Sequence, residues 1–279
     1  MKKLFLIISI VIIAGSVFVG CEKESSNQES KNLQDLDFDM IDNYSDDISN
    51  FHYYFMDKYI RNLNHTNNAP LNSLLKDELS KFAFKNIHIT NKTYYYIDNY
   101  TNDNINKYIN ELVSKNFSFN TLMIDYNLAN IDTTLLSLIL KEIDANFMNI
   151  LTQSTSEYDF MNTYKKFVTN KLSTLREPQK KFEYICAKFF ADIYLSSFDY
   201  VTEYYFSTDS KGKKWENFKG MVKEAWNNVK PIVYADAAGA VIGAIEGAAA
   251  GPEGIAAVGM VEACKGSAYA TAAVIASNH

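Results

Sequence analysis

The chain has 279 residues, 47% of them apolar and 22% charged, with a formal net charge of −6 at neutral pH. That is enough apolar material to bury a sizeable core in one large domain or two small ones. The acidic balance argues against nucleic acid as a principal partner.

The first predicted element is an address. Lys2 and Lys3 precede an apolar run from Leu4 to Val19. The run is at the short end for a spanning helix, which needs roughly 20 residues. No basic cluster follows it. Gly20 and Cys21 lead instead into Glu22-Lys23-Glu24-Ser25-Ser26-Asn27, a mixed and polar tether. This layout resembles the signal peptide and lipobox of a bacterial lipoprotein. The resemblance implies cleavage after Gly20 and acylation of Cys21, for instance with palmitate. It also implies a lipid-anchored place in the cell envelope, with the outer membrane as the expected site. Residues 1–20 are then the signal peptide and 21–40 a flexible tether.

Within that tether Asp35, Asp37 and Asp39 alternate like the opening of a calcium loop, but Met40 stands where the sharp turn requires glycine. From Asn43 the period becomes helical, with Ile48, Phe51, Phe55 and Tyr59 on one stripe. Pro70 suits a first helical turn, and Leu71, Leu74, Leu75, Leu79 and Phe82 continue a second helix. The β-prone runs 87–90 and 93–97 read as an aromatic-anchored loop, with a small hairpin as the alternative. A third helix follows over Ile105, Tyr108, Ile109, Leu112 and Val113.

Asp132 or Thr133 caps a strongly apolar helix through Leu136, Leu140, Ile143 and Phe147, expected to form the centre of the core. Asp132-Thr133-Thr134 also resembles the O-glycosylation acceptor pattern of Bacteroidota, although capping alone explains these residues. Another helix carries Tyr158, Met161, Tyr164, Phe167, Val168 and Leu172. Pro178 opens the longest, apolar on several sides from Phe182 to Tyr205, as in a central bundle helix. Residues 41–206 thus read as a helical bundle able to fold by itself, closed by a polar linker at 207–214.

The tail has its own character. Over 215–230, Trp215, Phe218, Val222, Trp226 and Val229 share one helical face opposite a group of lysines. Trp215, Phe218 and Trp226 are interface candidates, since such helices lie in membrane interfaces or dock on partners, though a covering helix of a bundle has the same pattern. Residues 235–277 read as a hairpin of two small-residue helices turning at Pro252-Glu253-Gly254. Gly239, Gly243, Gly247 and Gly251 are spaced by four and form a bare ridge, with Gly259 on the second arm. On such a ridge another backbone can approach closely. Alanine at both Gly243 and Gly247 would add nearly 2 kcal/mol of helix propensity to a free helix, whereas leucine would block close approach. The stretch resembles the GxxxG tails of two-peptide bacteriocins and other glycine-zipper segments.

The expected fold is therefore all-α: an irregular helical bundle, an amphipathic helix and a GxxxG hairpin. Cys186 and Cys264 sit in apolar helical surroundings, where a lone cysteine is usually a buried hydrophobe. His52, His65, His88 and His279 lie far apart in sequence and suggest no metal site. No cofactor motif and no catalytic constellation stand out. The leading reading is a non-catalytic lipoprotein, held at a membrane by its N-terminal lipid, that binds a protein partner or itself through the C-terminal zipper. The alternatives are a bacteriocin-like protein whose hairpin enters a bilayer, and an enzyme with a carboxylate-only site.

Overall fold

The computed structural model describes residues 36–62, 71–82, 133–206, 215–247 and 251–277, and these are all helical apart from short connections. The helices are α1 (Phe38–Asn62), α2 (Leu71–Lys81), α3 (Thr133–Gln153), α4 (Glu157–Ser173), α5 (Lys181–Phe206), α6 (Trp215–Gly247) and α7 (Pro252–Ser277). A 3-10 turn, Pro178–Lys180, leads into α5. The signal peptide, Cys21, the expected third helix, the β-prone runs and the linker at 207–214 lie outside the described residues.

Local chemistry accounts for the helix starts. Asp37 caps α1 by accepting from the Met40 amide at 2.6 Å, so one of the calcium-like aspartates is an N-cap. The body begins earlier than residue 41, because Leu36 is already buried and α1 starts at Phe38. Ser156 caps α4 through the Asp159 amide, while the Asp159 carboxylate accepts from the Thr155 amide and hydroxyl.

The core centres on α5 rather than α3. α5 buries residues on nearly every side, including Tyr184, Ile185, Phe189, Phe190, Tyr194 and Phe198. It packs against α1, α3, α4 and α6. α3 buries a single stripe and leaves Leu138 exposed, so its apolar content serves an outer helix.

Two expected boundaries disappear. α6 runs unbroken from Trp215 to Gly247 with Pro231 inside it, where the sequence suggests separate elements at 215–230 and 235–277. An internal proline costs roughly 3 kcal/mol. Here Val229, Ile232, Val233 and Ala235 carry one buried stripe across it, and that packing offsets the loss. The second boundary is the one between bundle and tail. Buried side chains from α1 to α7 belong to one contiguous hydrophobic cluster, so α6 and α7 complete the core of the body.

The turn of the hairpin also lies earlier than expected. Gly251 has φ 80°, the left-handed region that favours glycine, and Pro252 takes the first turn of α7. Gly251 is thus a turn residue and not part of the packed ridge. Gly239, Gly243 and Gly247 instead lie against the backbone carbonyls of Glu262, Val258 and Gly254. Gly259 faces the Phe189 ring and the Ala240 carbonyl.

Candidate functional site

The aromatic face of the tail turns inward. Trp226 stacks on Phe147 at 5.7 Å and 10° between planes, and Trp215 stacks on Phe218 at 5.2 Å. Trp215 donates its indole N–H to the Ser154 carbonyl at 2.8 Å. Lys219 donates to the carbonyls of Thr152 and Ser154, placing a cation where the α3 dipole ends in partial negative charge. Trp215, Phe218 and Trp226 therefore belong to a covering helix, each partly buried against the core. Cys186 and Cys264 are buried free thiols, and burial pushes both well above the usual thiol range. That makes them poor nucleophiles.

Two features were not read from the sequence as sites. The first is a polar cluster inside the core, assembled from four helices. His52 of α1 has Nε2 at 2.6 Å from Ser267 Oγ of α7 and Nδ1 at 3.3 Å from Ser196 Oγ of α5. Asp236 of α6 lies 3.6 Å from the same Nε2, and Tyr200 of α5 donates to its Oδ2 at 2.8 Å. The serine hydroxyls also reach the carbonyls of Ser49 and Ala263.

These are the residue types of a nucleophilic triad in an unsuitable arrangement. A triad needs the carboxylate on the ring nitrogen opposite the hydroxyl. Here the hydroxyl opposite Asp236 is Ser196, but it donates its proton to the Ser49 carbonyl, and the Nε2 hydrogen bond goes to Ser267 at 2.6 Å while Asp236 stands off at 3.6 Å. His52, Asp236 and Ser267 are all 0% exposed, out of reach of a substrate. The cluster instead fixes how α1, α5, α6 and α7 meet. A weak signal was available, because His52 falls on the apolar stripe between Phe51 and Phe55, and Asp236 among alanines and valines.

Burial sets the protonation of this pair. It holds His52 down from 6.5 to about 3. It lifts Asp236 from 3.8 to about 7, against the pull of the neighbouring Ser267, Ser197 and Tyr200 hydroxyls, of which Tyr200 donates to it at 2.8 Å. Other titratable neighbours are Glu262, also raised by burial, and Cys264, which feels Asp236 and Glu262. The raised aspartate contributes stability below its unfolded value that is lost as pH rises through about 7. The lowered histidine contributes stability above its unfolded value that is lost as pH falls through about 3. Between 3.8 and 6.5 the unfolded pair carries one proton on His52 and the folded pair carries one on Asp236, so the two slopes cancel.

Asp236→Asn leaves only the histidine slope. Its stability relative to wild type then rises by roughly 1.4 kcal/mol per pH unit across that window. Urea denaturation of both proteins at pH 4, 5 and 6 reads this directly, and a constant difference would refute the neutral pair.

The second feature is an open cleft of about 500 Å³ over α5, between α1 and α4. α1 contributes Asp42 and Asp46, and α4 contributes Lys165 and the apolar Val168 and Leu172. Arg176 closes one end, donating to Asp42 at 2.5 Å and to the Tyr184 hydroxyl at 3.1 Å. Tyr184 donates in turn to Asp42 at 2.6 Å. Asp192 on α5 accepts from Ser45 at 2.6 Å and pairs with Lys188. Asp42 and Asp46 thus form the acidic part of one wall of this cleft. The carboxylates Asp42 and Asp192 are each tied to a cation. Among the described residues no group of three or more His, Cys, Asp or Glu side chains could hold a metal ion.

No family model, curated protein or solved structure matches this chain. Among the described residues no helix is long and apolar enough to cross a membrane.

Proposed function

We propose that the protein is a lipid-anchored lipoprotein of the bacterial cell envelope that acts as a non-catalytic binding module, with the cleft between α1 and α4 as its binding surface. The observation that carries this reading is the cleft itself. It combines apolar side chains on the α4 wall with fixed charged groups in a volume of about 500 Å³, within the roughly 300–1,000 Å³ typical of small-molecule sites. The glycine ridge is a weaker candidate, because Gly239, Gly243 and Gly247 already face the backbone of α7. Self-association through that ridge would require the hairpin to open. Insertion into a bilayer would also carry Asp236, Glu262 and Lys265, all buried in the fold, into hydrocarbon. Charged side chains cost several kcal/mol each there, on the order of 3.

The anchor rests on the lipobox resemblance at Cys21 and on the polar stretch that follows it. Cys21→Ser is expected to accumulate as an uncut precursor that incorporates no labelled palmitate. A variant processed and fractionated like the wild type would remove the anchor from the reading. For the cleft, a small-molecule extract of the envelope is expected to raise the melting temperature of the wild type and not that of Lys165→Glu. Equal shifts in both would mean that binding lies elsewhere.

A further inference from the structure

We infer that the cleft takes a zwitterion of the peptide class, a short peptide or amino acid with an apolar side chain. This rests on the cleft being the binding surface. Its charged lining is balanced: Asp42 and Asp46 on α1, with Asp42 paired to Arg176 at one end, Lys165 on α4, and the Lys188–Asp192 pair on α5. A simple anion placed there meets the carboxylates of one wall, and a simple cation meets the ammonium and guanidinium of the other. Like charges brought side by side there repel, the more weakly for standing in open contact with water. A ligand with an ammonium at one end and a carboxylate at the other satisfies both walls together.

Donors remain for the carboxylate end. Among the described residues Lys165 makes no hydrogen bond or ion pair, and it is exposed at the cleft. Arg176 uses Nε and Nη2 on Tyr184 and Asp42. Its Nη1 donors are left over from the guanidinium fork. For the ammonium end, the wall of α1 presents carboxylates, each with several lone-pair positions and able to accept more than one donor. Val168 and Leu172, on the α4 wall beside Lys165, supply an apolar surface, which selects an aliphatic side chain over a polar one.

The test is calorimetric titration of the full-length chain in detergent micelles with leucyl-leucine, its N-acetyl and C-amide derivatives, free leucine, hexanoate and hexylamine. Saturable binding of leucyl-leucine is expected, with each capped derivative at least tenfold weaker. Lys165→Ala, which changes an exposed side chain, is expected to weaken leucyl-leucine about tenfold and to leave its C-amide unchanged. Free leucine binding as tightly as leucyl-leucine would narrow the class to amino acids and support the inference. Capped peptides binding as well as the free peptide would overturn it. Binding of hexanoate or hexylamine without binding of the zwitterions would overturn the class and keep the cleft as the binding surface. Failure of every probe would overturn both.

Discussion

Gly243→Ala destabilises the protein by about 2 kcal/mol or more, the sign opposite to its effect on a free helix. In isolation the exchange favours the helix by nearly 1 kcal/mol. In the folded chain the new Cβ meets the Val258 carbonyl and the Gly259 Cα, backbone atoms of α7. Backbone cannot swing aside as a flexible side chain does, so α7 must move as a unit. Its other side is fixed by Gly259 against Phe189 and by Ser267 against His52. Forcing extra atoms into such a contact typically costs 1–3 kcal/mol and on occasion more, which exceeds the propensity gain. Gly239 and Gly247 face the Glu262 and Gly254 carbonyls in the same way, and replacing all three is expected to undock the hairpin. Gly220→Ala is the internal control. Nothing lies within 4 Å of its Cβ position, so the same exchange there is expected to stabilise by up to about 1 kcal/mol. Urea denaturation of the two single variants decides the matter, since equal stabilisation would show that the ridge is not in contact.

A chain ending at residue 206 is expected to lose cooperative unfolding altogether. The sequence suggests the reverse, because a polar stretch separates the bundle from the tail. In the structure the inner surface of α5 is covered by α6, and α7 adds Gly259 against Phe189. Removing α6 and α7 exposes Phe190, which meets Tyr234, and Phe147, which meets Trp226. It also leaves His52 and Tyr200 without Ser267 and Asp236. Each large side chain returned to water forfeits about 1.5–3 kcal/mol, so a handful exhausts the roughly 5–15 kcal/mol that holds a domain folded. The truncated chain should keep helical far-UV dichroism, bind a hydrophobic dye and melt without a sharp transition. A single cooperative melt would establish that the bundle is independent.

What the sequence determined by itself is local. Apolar residues three and four apart placed the stripes of α1, α3, α4, α5 and α6, as in Ile48, Phe51 and Phe55 or Val222, Trp226 and Val229. Pro178 and Pro252 marked element ends, although Gly251, read from the sequence as part of the ridge, is the turn residue. Helical periodicity is written within one or two turns, so the all-α class was legible without long-range information. Tertiary structure alone decided which faces meet. It turned the tryptophan face of α6 inward, carried α6 through Pro231 and made α5 the centre. It also gathered His52, Ser196, Asp236 and Ser267 from four helices, and set Asp42 and Asp46 across a cleft from Lys165. Those outcomes depend on packing between segments more than a hundred residues apart in some pairs. There the burial of a whole surface outweighs any single residue's preference.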